Sequence, residues 1–345
     1  MRIAGGGYGE VVMFRTMLAA VVGVALLFGA CGGDDGGSKA ASTVSSADPI
    51  ASIPQEQIGR IVAVLAGSDW HVGVNNFVFG ITNIKNEPQN TSTVSATFYD
   101  LKDQKHPKPL FTVAPTASAP NVGPAVVHTH TDGAQHTHGG PDDGRVGYYA
   151  KVTFDHPGFW GLLVQATLKD GTVGASSVAF QVADKPLIPV PGDAAVTSKR
   201  TGDNLTRADV KDIHTIDSGD PVNGMHDVKI KDAVAKGRPL LVVFATPAYC
   251  ISLFCGPVTE EMDLLRDKYK DKVDFVHIEI WQNFDKKQMN PVAKQWLEQP
   301  DGSYTEPVVY VIDKAGMIYD RWEGPVSGGI VEAAVQAVAA GKTFK

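Results

Sequence analysis

The sequence predicts two folded regions, an all-β sandwich followed by an α/β region, and three observations support this division. Residues 51–183 contain short runs of alternating apolar and polar residues, separated by turn residues and without helix-period stretches, which is typical of an antiparallel sandwich. Residues 218–345 alternate between strand-like and helix-like segments, which indicates an α/β fold. Between them, residues 184–217 are rich in proline and polar residues, which predicts a linker.

The bulk composition limits the classes of function. The chain has 345 residues, room for about two domains, and a formal net charge of −7 without a long basic run, which excludes nucleic acid as the expected partner. Cys31 stands alone near the start, whereas Cys250 and Cys255 lie together. Three cysteines cannot build a scaffold of several disulfides, so we expect cores of ordinary hydrophobic packing.

Residues 1–31 are predicted to be a signal peptide that ends in a lipidation site. The apolar or small run 17–30 is short for a membrane span and fits the hydrophobic part of a signal peptide. It ends in FGAC (28–31), which resembles a bacterial lipobox with phenylalanine in place of the usual leucine. The resemblance implies a lipid on Cys31 and an extracytoplasmic, membrane-anchored protein; a plain signal peptide or an uncleaved anchor is the alternative. Residues 32–50, rich in Gly, Ser and Asp, predict a flexible tether.

Five runs of the first region are predicted to be strands: 76–83, 93–101, 146–154, 159–168 and 172–182. In the fourth run, every second residue from Trp160 to Leu168 is apolar and falls on one face. Asp170-Gly171 predicts a hairpin between the last two runs. This pattern is similar to that of bacterial Ig-like domains.

A long loop inside the first region, residues 114–145, carries four histidines: His128, His130, His136 and His138. Each pair is spaced i, i+2, so both rings of a pair share one face if the chain is extended. The Asp132-Gly133 step could turn the pairs back on each other, and four neutral imidazoles would then suit Cu(II), Zn(II) or Ni(II). A polar loop that touches metal only opportunistically is the alternative.

The stretch 239–257, PLLVVFATPAYCISLFCGP, carries the main chemical signal. It starts as an apolar, β-branched run, the pattern of a strand buried on both faces. It ends in Gly256-Pro257, and proline is favoured at the first position of a helix. Cys250 and Cys255 lie in the turn between. Because a helix N-terminus stabilises a thiolate, this layout predicts thiol–disulfide chemistry.

The remaining elements of the second region follow in the order helix, strand, helix, strand, helix, hairpin and helix. Their predicted ranges are 227–236, 239–246, 258–269 with Met262, Leu264 and Leu265 inward, 273–280, 290–297, 307–313 with 317–323, and 327–340. This order, together with Cys-Gly-Pro at 255–257, Glu306-Pro307 before a strand and VIDKAGMIYDRWEG, resembles the thioredoxin-like superfamily, closest to its extracytoplasmic TlpA/ResA type.

The resemblance implies a thioredoxin fold and a thiol–disulfide oxidoreductase that acts on protein disulfides or dithiols without a required cofactor. Cys250 and Cys255 would be the catalytic pair. In the family, the proline before the third core strand is cis and faces the cysteines. Pro307 matches that position, and the backbone of Glu306 would then pair with a substrate strand.

Two departures from the family pattern bear on the mechanism. The family has Cys-x-x-Cys, whereas four residues separate Cys250 and Cys255, and residues i and i+5 of a straight helix rise about 7.5 Å. Closure therefore needs an irregular turn, and either cysteine could be the attacking one. Phe244 stands where thioredoxins bury an acid, so Glu260 or Glu261 is the remaining candidate for a proton relay.

Two other functions remain open at this point. Copper proteins of the SCO type share the fold and use two cysteines with a distant histidine, so a copper or zinc carrier could use the dithiol with His226 or His277, or the histidine loop. A non-catalytic binding module in which the two cysteines form a structural disulfide is the third possibility.

Overall fold

The structure, a computed structural model, describes residues 53–119, 146–250 and 254–345, together with the backbone of 126–129 and 135–138. The predicted signal peptide, Cys31 and the tether lie outside the described residues. In the described part of the chain, no helix combines the length and apolar character needed to cross a bilayer.

The first region consists of two four-stranded antiparallel sheets, in the orders β1-β2-β8-β5 and β10-β9-β3-β4. The strands are β1 Val62–Leu65, β2 Gly73–Thr82, β3 Thr91–Asp100, β4 Lys108–Val113, β5 Thr116–Ser118, β8 Gly147–Phe154, β9 Gly158–Leu168 and β10 Val173–Val182, with a separate hairpin of β6 Val126–Thr129 and β7 Gln135–His138. The two-sheet antiparallel form predicted for this region is therefore present. The similarity of this region to bacterial Ig-like domains stays a prediction.

An aromatic core fills the space between these two sheets. Alternate residues of the strands point inward, so Phe77 of β2 meets Phe98 of β3 with ring centroids 5.1 Å apart, and Phe154 meets Trp160 at 4.8 Å. All four residues are at most 1% exposed. The face of β9 predicted from its alternation is the buried one.

The second region is built on a mixed sheet in the order β12-β11-β15-β16. Its elements are α1 Ile230–Ala235, β11 Leu240–Ala245, α2 Cys255–Tyr269, β12 Asp274–Glu279, a short pair of β13 Trp281–Asn283 and β14 Gln288–Met289, α3 Pro291–Leu297, β15 Val308–Ile312, β16 Ile318–Glu323 and α4 Gly328–Ala339. β11 is parallel to β12 and antiparallel to β15, which in turn pairs with β16. This is the strand arrangement expected of a thioredoxin-like fold.

Strand β11 lies at the centre of the second region, and each of its six residues is buried. Leu241, Val243 and Ala245 pack against α2 and α4, whereas Leu240 and its alternate neighbours pack against α1 and α3. Two layers of helices therefore cover both faces of the sheet, as the continuous apolar run predicts.

Helix α2 departs from the prediction at its start and on one face. It begins at Cys255, three residues earlier than predicted, so Pro257 is its third residue instead of its first. Met262 and Leu265 are buried as predicted, but Leu264 is 54% exposed and does not point inward.

The irregular segment 184–217 packs against the second region. Ala195 is fully buried, and its backbone N–H donates to the carbonyl oxygen of Gly316 at 2.8 Å. The segment predicted as a linker is thus irregular in structure, but it packs closely against the second region.

A buried ion-pair network joins the sandwich to the mixed sheet. Arg321 of β16 donates to the carboxylate of Asp69, which lies between β1 and β2, at 2.8 Å, and pairs with Glu323 at 3.1 Å. The same guanidinium donates to the carbonyl oxygen of Pro189 at 3.2 Å. Burial lowers the pKa of Arg321, but the carboxylates of Glu323 and Asp69 outweigh it and raise the pKa, so the group is charged.

Candidate active site: a buried cysteine pair

The two cysteines meet where β11 leads into α2. The Sγ atoms of Cys250 and Cys255 and a carboxylate oxygen of Glu306 all lie within 4.8 Å of one another. The structure holds both cysteines as thiols. The two sulfurs are therefore close despite the Cys-x4-Cys spacing; residues 251–253 between the cysteines lie outside the described part of the chain.

The start of helix α2 directs a backbone donor at Cys250. The N–H of Cys255, the first helical residue, donates to Sγ of Cys250 at 3.3 Å. First-turn N–H groups have no acceptor within their own helix, so they are available to stabilise a neighbouring thiolate. Of the two cysteines, Cys250 is the one that receives this N–H.

The thiol of Cys255 is in a different environment. Its side chain is fully buried, whereas Cys250 is 5% exposed. Burial raises the pKa of Cys255 well above its usual value, and the neighbouring Cys250 and Glu306 raise it further. Cys255 is therefore kept protonated while Cys250 carries the stabilised sulfur.

Glu306 and Pro307 lie against the cysteine pair. The Glu306–Pro307 peptide bond is cis, as the resemblance implies. Sequence reasoning gave Glu306 only a backbone role and missed its carboxyl group, which belongs to the cluster of the two sulfurs. The signal was available, since a residue next to the proline that faces the cysteines also places its side chain near them. Two thiols and a carboxylate are also a donor set that a soft cation accepts.

Half-buried aromatic side chains surround the entrance to the pair. Tyr249 stacks on Phe284 at 4.3 Å between ring centroids, and Trp281 contacts both Phe284 at 5.6 Å and Tyr304 at 6.1 Å. Burial raises the pKa of Tyr304, and Glu306 and the two cysteines add to the shift. Phe254, at the cap of α2, is also half-buried. Tyr249, Phe284, Trp281 and Tyr304 together make up the aromatic rim of the site.

The candidate proton relays named from sequence do not join the cysteine cluster. Glu261 accepts a hydrogen bond from the backbone N–H of Gly328 at 2.9 Å and so caps the start of α4. Burial raises the pKa of Glu260, with Glu261 adding to the shift. Phe244 is fully buried and cannot carry a proton.

The histidines are placed elsewhere. His226 and His277 form a buried cluster with Asp217, and among the described residues no histidine shares a three-ligand cluster with the cysteines. The expectation that one of them completes an SCO-type copper set is therefore wrong. In the histidine loop, the backbone of β6 and β7 forms an antiparallel hairpin with His128 opposite His136 and Val126 opposite His138, whereas His130 lies outside the described residues. The metal prediction for this loop stays a prediction.

The sandwich reaches the loop that carries Glu306. Ser68, between β1 and β2, hydrogen-bonds the hydroxyl of Thr305 at 2.6 Å and accepts from the side-chain amide of Gln299 at 2.5 Å. Its backbone N–H donates to Glu323 at 3.0 Å. Thr305, the residue next to Glu306, is thus held by a hydrogen bond from the sandwich.

Comparisons with known proteins give weak similarities. No family model and no curated protein sequence matches the chain. Among solved structures, a thioredoxin-family thiol:disulfide interchange protein from Chlorobium tepidum TLS is 17% identical, with 46% of this chain and 99% of that one covered and a TM-score of 0.28. A protein described provisionally as the thiol:disulfide interchange protein DsbE from Chlorobium tepidum is 16% identical (32% and 86% covered, TM-score 0.25), as is Trgpx in its apo form (35% and 94%, TM-score 0.25). At these scores the similarities assign no family.

Proposed function

We propose that this protein is a thiol–disulfide oxidoreductase that acts on protein disulfides or dithiols, with Cys250 as the attacking cysteine and Cys255 as the resolving one. The observation that carries the proposal is the asymmetry of the pair. The sulfur of Cys250 receives the helix N–H, while Cys255 is fully buried and its pKa is raised. Exchange needs one sulfur that is a thiolate and one that stays protonated until the first has reacted.

The reaction proceeds through a mixed disulfide. The Cys250 thiolate attacks one sulfur of a partner disulfide, the partner S–S bond breaks, and its other sulfur leaves as a thiolate. Cys255 then loses its proton and attacks Sγ of Cys250. The partner leaves as a dithiol and the pair is oxidised; the same steps in reverse oxidise a partner dithiol.

Glu306 supplies the proton acceptor for the second step. Its carboxylate is the ionisable oxygen group in the cluster of the two sulfurs, and it replaces the buried acid that Phe244 cannot provide. A negative charge at this position opposes ionisation of Cys255 in the resting state and accepts the proton when Cys255 attacks.

The partner would dock on the aromatic rim and along residues 306–307. Half-buried aromatic rings offer apolar contact area at low conformational cost, and the edge at Glu306 offers backbone groups to an extended segment. We further propose that the chain works outside the cytoplasm, anchored through a lipid on Cys31, and is organised as signal peptide 1–31, tether 32–50, Ig-like sandwich 51–183, linker 184–217 and thioredoxin-like domain 218–345.

Trapping tests the proposed roles. Cys255→Ser leaves the attacking thiolate without its resolving partner, so this variant should accumulate mixed disulfides, detected as dithiothreitol-sensitive bands on non-reducing gels. Cys250→Ser is the matched control and should trap none.

Three outcomes would contradict the proposal. Equal trapping by both variants would contradict the roles assigned to the two cysteines. If neither variant traps a partner and no thiol titrates below about pH 7.5, the proposed activity is contradicted. A reduction potential below about −300 mV would indicate a structural disulfide instead.

A further inference from the structure

A second cluster of chemically active side chains lies beside the cysteine turn and takes no part in thiol exchange. Asp217, His226 and His277 each offer one ligand atom, and these atoms all lie within 4.8 Å of one another. All three side chains are buried, with exposed fractions of 2% or less. The residues come from the segment before α1 and from β12, so tertiary structure brings them together.

The distances in this cluster suit a metal ion. Nε2 of His226 lies 2.9 Å from one carboxylate oxygen of Asp217, and Nδ1 of His277 lies 3.7 Å from the other. Ligand atoms about 2.0–2.1 Å from a tetrahedral zinc ion lie roughly 3.3 Å apart. The observed separations bracket that value, so an ion fits with small side-chain movements.

The surroundings orient the three groups as metal ligands are oriented. Nε2 of His277 lies 3.3 Å from the carbonyl oxygen of Ala245, so Nδ1 is the ring nitrogen on the side of Asp217. The side-chain amide nitrogen of Asn223 lies 2.9 Å from this Nδ1 and would turn away from it when an ion binds. Asp217 is fixed by the backbone N–H of Gly219 at 2.8 Å and by the side-chain amide of Asn223 at 2.7 Å. A backbone carbonyl behind a ligating imidazole and donors behind a ligating carboxylate are the usual outer contacts of metal sites.

A surface cavity borders the cluster on the side of Asp217. It has a volume of ≈ 280 Å³, lies between residues 217–223 and the first half of α2, and has Asp217 and Asn223 in its wall. Asp220 and Glu260 also line it, as do Asp263 and Asp267, which pair with Arg266. Among its lining residues, all of them in the described part of the chain, there is no lysine or arginine. A concave surface of this charge concentrates cations at its mouth.

We propose that Asp217, His226 and His277 form a binding site for a first-row divalent transition metal, with Zn(II) as the representative ion. Two imidazoles and one carboxylate form a donor set that zinc, iron(II), cobalt(II) and copper(II) all accept. On binding, the ion would take the place of the hydrogen between Asp217 and His226, and His226 would stay a neutral imidazole with its one proton on Nδ1. The site is independent of the thiol chemistry proposed above, since it shares no side chain with it.

Zinc binding by the full chain tests this site in a background without the other metal-binding candidates. That background carries Cys250→Ser, Cys255→Ser and alanine at the four loop histidines. Isothermal titration and elemental analysis should give one Zn(II) per chain. Co(II) should give a spectrum of nitrogen and oxygen ligands without a thiolate charge-transfer band.

Substitution of the ligands then locates the ion. His226→Gln and His277→Gln should each weaken Zn(II) binding more than about 100-fold. His71→Gln, which alters another buried histidine, is the matched control and should bind as the background does.

The proposal is overturned if the folded background protein binds no stoichiometric zinc. It is equally overturned if the two histidine variants, shown to be folded by circular dichroism, bind as tightly as the background. Should those variants not fold, the melting temperature of the background protein decides. Saturating Zn(II) should raise it, and should raise it equally in His71→Gln; no change means that the cluster is a hydrogen-bonded ion pair only.

Discussion

The sandwich and the mixed sheet differ in what they bury. The sandwich core is apolar and largely aromatic, built from rings of β2, β3, β8, β9 and β10 that contact one another directly. The mixed sheet also has an apolar core, but this region buries two reactive clusters. Two thiols lie near Glu306, which precedes β15, and His277 of β12 lies near Asp217 and His226, which precede α1.

The difference follows from strand direction. β11 and β12 are parallel, so their carboxyl ends meet at one edge of the sheet, and the loops that leave this edge bring their side chains together. In the antiparallel sheets neighbouring strands end at opposite edges, and the turns between them are spread over both. The reactive side chains lie near the edge at which the parallel strands end. The antiparallel sheets provide surface and support.

The largest expected effect comes from the contact between the two regions. Arg321→Ala should lower the free energy of unfolding by about 3–5 kcal/mol, because it leaves the carboxylates of Asp69 and Glu323 buried without their counter-charge. Urea denaturation measures this. Lys151→Ala, which removes an exposed ion pair with Asp320, is the control and should cost less than about 1 kcal/mol. Equal costs for the two variants would mean that the buried network does not join the regions.

A matched pair of core truncations sharpens the comparison. Leu162→Ala in the sandwich and Leu241→Ala in β11 each remove a fully packed leucine and should each cost about 3 kcal/mol. Only Leu241→Ala should also change the rate at which Cys250 is alkylated under native conditions, because β11 leads directly into the cysteine turn. A comparable change of rate in Leu162→Ala would contradict a purely supporting sandwich.

Glu306→Gln tests the electrostatics of the pair. The carboxylate opposes ionisation of Cys255, so its removal should lower the pKa of that thiol. In a Cys250→Ser background, the midpoint of the pH dependence of Cys255 alkylation should move to lower pH. Glu260→Gln, outside the cysteine cluster, is the control and should leave the midpoint in place. A midpoint that stays constant or rises in Glu306→Gln would show that the carboxylate does not act on Cys255.

The smallest effect is expected at high pH, at the edge of the contact between the regions. Burial and the nearby Asp320 raise the pKa of Tyr149 to about 12, from a value near 10 in an unfolded chain. Its contribution to stability is therefore intact below pH 10 and is lost as the pH rises through 12. The stability difference between wild type and Tyr149→Phe should shrink between pH 9 and pH 11.5 in urea denaturation. A difference that is constant with pH would contradict the raised pKa.

Much of the fold could be predicted because the relevant signals are local. The apolar run of β11, the hairpin of β15 and β16, and the start of α3, where Asn290 accepts from the N–H of Val292 at 2.9 Å, all lie within short windows of sequence. The start of α2 was placed too late because proline is tolerated throughout the first turn, not only at its first position. The prediction that Leu264 points inward was wrong because the buried face of α2 follows the spacing of Val258, Met262 and Leu265.

The parts of the site that could not be predicted depend on contacts between distant residues. Asp217 and His277 are 60 residues apart in sequence, and no periodicity connects them. The roles of the two cysteines depend on which sulfur lies in front of the helix and which lies behind it. The roles proposed above rest on the N–H of Cys255, which points at the sulfur of Cys250, and on the complete burial of Cys255.

The hydroxyl of Ser68 has a mechanical consequence. It bonds the sandwich to Thr305, the neighbour of Glu306, whose carboxylate oxygen lies within 4.8 Å of both sulfurs. In the thiol exchange proposed above, Glu306 is the proton acceptor, so a partner that displaced Ser68 would also shift that acceptor. Binding to the sandwich would then be felt at the cysteine pair.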